Sequence, residues 1–210
     1  MPSYEEWKKE CWDRSHKEED VSALTGTGIG GHLHTLKVKD LIQPDMSVLC
    51  IGVGTGGWIQ EMSETVKEVW ALDVTEFAAK NLPSKVVFTT DAKELPNNHF
   101  DLALSLWVAS HMSNHDLQLQ FEDVIPSLKP NGIFAVHYKE PLDASLPLDN
   151  LEGTEDEWKK ARSATVMRRR GHFNEMVEWV GGRVSKTFGD DISVFYQIVE
   201  AVAHIQRRVV

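Results

Sequence analysis

Apolar residues along this chain follow two alternating rhythms. Short continuous runs, such as Val48-Leu49-Cys50-Ile51 and Val69-Trp70-Ala71-Leu72, have the length and β-branched character of buried strands. Between these runs the apolar positions fall three and four apart, the spacing of one helical face. In chain order the pattern predicts strand 47–52, helix 57–65, strand 68–73, helix 75–81 and strands 86–90 and 101–106. A helix over 114–128 follows, with Leu117, Phe121, Val124 and Leu128 inward, and Pro126 is expected to distort its last turn. Strand 132–138 begins after the Pro130-Asn131-Gly132 turn. Ahead of all this, residues 4–12 put Tyr4, Trp7, Cys11 and Trp12 on one helical face. Leu33, Leu36, Leu41 and Ile42 suggest a second short helix ending near Pro44.

The rhythm changes after residue 139. Pro141 to Asn150 is loop-like, and Thr154 with Glu157 forms a capping box for a helix carrying Trp158 and Ala161. Phe173, Met176, Val177 and Val180 make an apolar stripe, closed by the Gly181-Gly182 stop. Residues 183–188 and 192–200 read as two last strands joined through Gly189-Asp190-Asp191. So short a connection makes them antiparallel. The preceding strand–helix alternation implies an α/β fold, an open and mostly parallel sheet with helices on both faces. No repeat, low-complexity tract or second domain interrupts it, so residues 1–210 read as one domain.

Composition narrows the class. Hydrophobic content of 41% and charged content of 26% suit an ordinary soluble globular chain. The N-terminus lacks a secretory signal, and no stretch has the length of a membrane span. Cys11 and Cys50 lie too far apart in sequence to form a disulfide framework or a zinc site. Together these features point to a reducing cytoplasm and away from membranes. A net charge of −10 argues against a broad nucleic-acid surface, which needs clustered cations.

The chemistry starts at Val48-Leu49-Cys50-Ile51-Gly52-Val53-Gly54-Thr55-Gly56-Gly57-Trp58. A strand breaks there into a glycine-rich turn towards a helix, so a small molecule can lie against bare backbone. Gly52, Gly54 and Gly57 satisfy the dinucleotide pattern G-x-G-x-x-G, and Asp73 stands 21 residues after Gly52, where a ribose-binding acid belongs. A second copy at Gly26, Gly28 and Gly31 follows no strand-like run and reads as a loop. The glycines alone leave the nucleotide undecided.

Four further segments decide it: Val69-Trp70-Ala71-Leu72-Asp73, Val86 to Ala92 followed by Glu94-Leu95-Pro96, Phe100 to Leu106, and Leu128-Lys129-Pro130-Asn131-Gly132-Ile133-Phe134. With the glycine loop, this ordered set resembles the class I S-adenosylmethionine-dependent methyltransferases, their small-molecule branch in particular, over roughly residues 35–140. The resemblance implies a Rossmann-like sheet of seven strands whose last strand is inserted between two others. It implies that Gly52, Gly54 and Gly56 pass the methionine portion of S-adenosylmethionine and that Asp73 accepts from both ribose hydroxyls. Val74 then packs on the adenine. Asp91 accepts from the adenine amino group beside the Ala92 N–H, and Ser105 or Leu106 offers a main-chain carbonyl to the ammonium. The plainer role for Asp73 and Asp91 is to cap the helices that follow them. Trp58 and Trp107 either stack near the sulfonium or adenine, or belong to the core.

The expected reaction is methylation of a small acceptor, oxygen favoured over nitrogen, with S-adenosylhomocysteine as product and no metal. A hydroxyl acceptor needs a general base and an already neutral amine needs none. His111 and His137 are the base candidates by position, each with a packing role as the alternative; His32, His34 and His172 are weaker ones. Arg168-Arg169-Arg170 form either an anion clamp for an acidic acceptor or a solvated helix end paired with Glu152, Glu155 and Asp156. Trp12, His32 and Tyr138 join them as acceptor contacts. Residues 1–43 are expected to form a helical cap and residues 139–172 an insertion on the acceptor side. Two other functions stay open: N-methylation of a small amine, and a non-catalytic cofactor-binding partner subunit. Ser105-Leu106-Trp107-Val108 stands where base-methylating relatives carry Asn/Asp-Pro-Pro-Tyr, which speaks against base amino-group methylation.

Overall fold

The computed structural model of the chain describes residues 38–54, 56–141, 166–193 and 198–208, together with Lys9, Glu10 and Trp12. Its strands are β1 (Ser47–Ile51), β2 (Glu68–Leu72), β3 (Val87–Thr89), β4 (Phe100–Ser105), β5 (Leu128–Pro141), β6 (Gly182–Ser193) and β7 (Ile198–Arg207). They make a seven-stranded mixed sheet in the order β3-β2-β1-β4-β5-β7-β6. Among the described residues, its helices with defined ends are α1 (Ile59–Thr65), α2 (Asn114–Ser127) and α3 (Arg170–Trp179). The expected α/β class and the antiparallel closing hairpin are both present. Residues 1–94 and 95–210 form two compact units.

In the first unit β1 is buried along its whole length, as an uninterrupted apolar run requires when both faces of a parallel strand are covered. It pairs with β2 from Ser47 opposite Glu68 to Ile51 opposite Leu72, and β2 pairs with β3 in the same direction. Burial pushes the Cys50 thiol far above its usual range, so it is an inert core atom. The helix expected over 75–81 is only a 3₁₀ turn, Ala78–Asn81. Thr75 Oγ1 takes the Phe77 N–H at 2.9 Å, and such local side-chain bonds compete with helical ones. Pro83 then biases Leu82 to an extended backbone.

In the second unit β4 and β5 run parallel, while β7 is antiparallel to both β5 and β6. Ser113 caps the start of α2: its Oγ accepts the Asp116 N–H at 3.0 Å and donates to the Asp116 carboxylate at 2.8 Å. Pro126 sits in the last turn without ending the helix early, since α2 closes one residue later. β5 starts at Leu128, before the expected turn. The Pro130-Asn131-Gly132 segment is taken up as a register shift against β4. A Cβ at Gly132 would lie 2.7 Å from the Phe100 carbonyl oxygen, which explains the glycine. The closing hairpin also differs from expectation. Gly189-Asp190-Asp191 lies within β6, where one extra residue between Phe188 and Asp191 is absorbed as a bulge.

Phe121, Phe134, Phe173 and Tyr138 form the aromatic heart of this unit. Phe121 meets Phe134 and Phe173 edge-on, and Tyr138 stacks on Phe173 at 4.0 Å and 10°. Each such buried ring contributes roughly 1.5–3 kcal/mol. Gly181 ends α3 with φ at 78°, the left-handed stop expected of it.

His204 on β7 is buried against Phe188 at 4.9 Å. Burial, and then Lys186, hold its pKa below the ordinary 6.5. The folded state therefore binds fewer protons than the unfolded chain. The stability this represents is complete above about pH 6.5 and declines as pH falls towards the depressed value. His204→Phe is expected to flatten the loss of stability between about pH 7.5 and pH 5.5, as read by urea unfolding; an unchanged slope would remove His204 as a cause.

Candidate functional site

The glycine loop is built by backbone conformation. Gly52, Gly54 and Gly56 have φ of 65°, 57° and 80°, left-handed values that most side chains avoid. A Cβ at Gly56 would lie 3.0 Å from Leu82 Cδ2. The Gly52 N–H donates to the Leu72 carbonyl at 2.8 Å, one step past the end of the β1–β2 ladder. The Gly56 N–H donates to Val53 O at 2.9 Å, closing the turn. The Gly54 N–H donates to Asp73 Oδ2 at 3.0 Å. All three amides are therefore engaged inside the protein. A pyrophosphate would need such amides turned towards it. The Gly52, Gly54 and Gly56 amides are not turned outward for one.

Asp73 ends the second strand segment, buried. Its Oδ1 accepts the Thr75 N–H at 3.2 Å while Oδ2 accepts Gly54. These two backbone bonds fix the orientation of the carboxylate, a group whose oxygens each have two acceptor positions. Val74 follows with 47% of its surface exposed, an apolar side chain directly beyond the acid. Asp91 is exposed, and its Oδ1 accepts the Lys93 N–H at 2.9 Å at the start of the 3₁₀ turn Ala92–Glu94. The capping role foreseen for Asp91 is present, whereas Asp73 makes a local turn with Thr75 and does not cap the 3₁₀ turn Ala78–Asn81, whose N-cap is Phe77. These residues fit a sulfonium nucleoside: left-handed glycines, a fixed carboxylate, an exposed apolar side chain and a second acid.

In the second unit Ser105 is buried and its Oγ donates to Gln120 Oε1 at 3.1 Å, so its side chain is turned towards α2. Leu106 is buried. Trp107 has φ of 64° and its N–H donates to His137 Nδ1 at 3.3 Å. The His137 ring is buried and tilted against the indole at 4.2 Å. His111 closes the 3₁₀ turn Ala109–His111 and is half-buried.

The three arginines diverge rather than forming one shared clamp, while Glu152, Glu155 and Asp156, the expected partners of the alternative, lie outside the described residues. Arg168 is buried, donating to Asn114 Oδ1 at 2.8 Å, Ala109 O at 2.7 Å and Met112 O at 2.5 Å. Burial lowers its pKa to about 10, Asp116 opposing, so it stays charged at neutral pH. Arg170 grips both oxygens of Glu140, at 2.9 and 3.1 Å. Arg169 is exposed at the N-cap of α3. Tyr138, expected as an acceptor contact, is buried in the aromatic heart and donates its hydroxyl to Glu140. Burial and then Glu140 push its pKa up, so it stays a neutral phenol. Tyr138 and Arg168 are thus buried among partners of their own, and Arg170 is an exposed side chain paired with Glu140. Trp12 is helical and half-buried. His32, His34, and the Thr154–Glu157 capping box lie outside the described residues. Glu140 went unread, although its place two residues after Tyr138 puts it on the same strand face.

Among the described residues no group of three or more His, Cys, Asp or Glu is placed to hold a metal ion, and no helix is long and apolar enough to cross a membrane.

A family model described as a methyltransferase domain matches residues 48–132, from β1 to the start of β5. No curated protein matches the sequence. Among solved structures, the chain is similar to Burkholderia thailandensis 1,6-didemethyltoxoflavin-N1-methyltransferase with bound 1,6-didemethyltoxoflavin and S-adenosylhomocysteine. The TM-score is 0.68 at 16% identity, over 100% of this chain and 92% of that one. It is similar to an S-adenosylmethionine-dependent methyltransferase from Mesorhizobium loti, with a TM-score of 0.63 at 17% identity, over 86% and 100%. It is also similar to the mitomycin 7-O-methyltransferase MmcR, with a TM-score of 0.55 at 16% identity, over 78% of this chain and 49% of that one. At these identities the likeness is one of fold.

Proposed function

We infer that this chain, a class I S-adenosylmethionine-dependent methyltransferase, methylates a small-molecule acceptor, with oxygen the favoured target atom. The observation that carries the cofactor assignment is the Asp73 carboxylate, pinned between the Gly54 and Thr75 amides beside a loop whose Gly52 and Gly56 amides are also engaged. The cofactor, when bound, supplies an activated methyl group on a positively charged sulfur. The chain's part is to hold the nucleoside through Gly52, Gly54, Gly56, Asp73, Val74, Asp91 and Ala92. The main-chain carbonyl of Ser105 or Leu106 is proposed, by family resemblance, for the ammonium. Orientation and exclusion of water then carry most of the rate. The helical cap over 1–43 and the acceptor-side segment over 139–172 belong to this proposal.

A hydroxyl acceptor must lose its proton. In His137 the Nδ1 lone pair accepts the Trp107 N–H, so the neutral ring carries its proton on Nε2 and has no basic nitrogen to offer. That favours His111 as the base. Isothermal titration with S-adenosylmethionine, S-adenosylhomocysteine and NAD is expected to show binding of the first two only; binding of NAD alone would overturn the assignment. An acceptor-library screen with product mass analysis separates an enzyme from a silent binder. For a hydroxyl acceptor so identified, His111→Ala is expected to lower kcat about 10²-fold.

The second reading, N-methylation of a small amine, is favoured by the fold likeness to an N1-methyltransferase. An amine that arrives neutral needs no base, so His111→Ala would then leave turnover unchanged.

A further inference from the structure

β3 is a three-residue strand at the edge of the sheet, paired with β2 alone from Val87 opposite Trp70 to Thr89 opposite Leu72. So short an edge gives the chain beyond it little support, yet Asp91 stands two residues past its end. The support is local. The Asp91 N–H donates to Thr89 Oγ1 at 3.0 Å, and the Thr89 hydroxyl donates to Glu94 Oε2 at 2.6 Å. The Glu94 N–H returns to the Asp91 carbonyl at 3.1 Å, and the Lys93 N–H holds Asp91 Oδ1. Thr89 has one proton to give and two acceptors in reach, the Glu94 carboxylate and the Asp91 carbonyl at 3.2 Å. The nearer, charged acceptor takes it, which leaves a lone pair of this buried hydroxyl for the Asp91 N–H. Thr89 also ties together the two acids of the site, since its own carbonyl accepts the Asp73 N–H at 3.3 Å.

We propose that Thr89 and Glu94 are positioning residues for the purine. Glu94 orients the Thr89 hydroxyl, the hydroxyl fixes the Asp91 backbone, and the Asp91 carboxylate is thereby aimed at an exocyclic amino group. The ligand class this selects is a purine nucleoside with an amino group at C6, preferred over its 6-oxo counterpart. A fixed carboxylate gains from a donor and is repelled by a 6-oxo oxygen, itself an acceptor, whereas one free to swing tolerates both. The proposal rests on the methyltransferase reading, in which Asp91 meets the adenine, and adds what makes that contact selective.

The test titrates the full chain calorimetrically with S-adenosylhomocysteine and with S-inosylhomocysteine, which carries a 6-oxo group in place of the amino group. Wild-type protein is expected to bind the adenosyl compound at least about tenfold more tightly. Thr89→Val keeps the β-branched shape and the carbonyl that holds Asp73. It is expected to bring the ratio to about threefold or less, chiefly by weakening the adenosyl compound. Glu94→Ala lets the hydroxyl proton turn to the Asp91 carbonyl and should lower the ratio about threefold; its side chain is exposed, so the variant folds. Thr89→Ser returns the hydroxyl and should restore the ratio to within about twofold of wild type. A merely structural loss weakens both ligands alike and leaves the ratio standing. A ratio unchanged in Thr89→Val or in Glu94→Ala therefore overturns the proposal, as does a serine variant that fails to restore it. Wild-type protein that binds the 6-oxo compound as well as the adenosyl one overturns it too. Failure of wild-type protein to bind S-adenosylhomocysteine instead removes the methyltransferase reading beneath it.

Discussion

Replacing Asp73 by Ala is expected to weaken S-adenosylhomocysteine binding by at least about a hundredfold. Two hydroxyls that hydrogen-bond to an ionised carboxylate contribute about 1.5–3 kcal/mol each, and every 1.4 kcal/mol is a factor of ten in affinity. The same substitution also deprives the Gly54 and Thr75 amides of their acceptor, so the loop that shapes the site loosens as the ligand contacts vanish. Asp73→Asn separates the two effects. Its one carbonyl oxygen can still accept from Thr75, but its NH₂ then faces the Gly54 N–H, donor against donor. Binding should fall almost as far, while the melting temperature moves less than in the Ala variant. Calorimetry with S-adenosylhomocysteine beside a thermal melt reads both. A folded Asp73→Asn variant with wild-type affinity would mean that the carboxylate only closes the glycine loop.

That prediction stands on the part of the molecule that the sequence disclosed best, for a local reason. Gly52, Gly54, Gly56 and Asp73 advertise their roles by residue type: a left-handed backbone selects glycine, and a strand ending in an acid places a carboxylate at the sheet's rim. The β1 and β2 runs were equally readable, because a strand covered on both faces needs unbroken apolar residues. Where two structures ask for the same residues, the reading failed. Gly189-Asp190-Asp191 suits a hairpin turn and a bulge alike, and β6 uses it as a bulge. Thr75 could have begun a helix, but its hydroxyl makes a local turn instead. The arginines failed for the opposite reason: their partners are distant. Glu140 is 30 residues from Arg170, and Ala109 is 59 from Arg168. Three consecutive cations suggest one shared function until the fold sends each a different way. The left-handed turn at Trp107 left no trace at all, since tryptophan is not a residue that signals it.

Arg168→Met should be the most damaging single change in the second unit. The guanidinium reaches two backbone carbonyls of the segment after β4 and the side chain of Asn114 at the start of α2, while the Arg168 backbone N–H donates to the Lys139 carbonyl on β5 at 2.8 Å. One buried side chain thus fixes the 109–114 segment, and with it His111, against the strand that carries His137. Methionine nearly matches the volume but satisfies none of the three acceptors. Unpaired buried acceptors cost about 1–3 kcal/mol each where water cannot reach them, so a loss of about 3 kcal/mol or more is expected. For a chain of this size that corresponds to a fall of roughly 10 °C in Tm. Arg168→Lys keeps the charge but replaces a planar fork with a single point donor, so it should recover less than half of the loss. If the segment's position matters for proton removal, turnover of a hydroxyl acceptor by Arg168→Lys falls well below the transition temperature while its KM for S-adenosylmethionine holds. A variant with wild-type Tm would show that the three contacts are replaceable by water, and the bracing role would be lost.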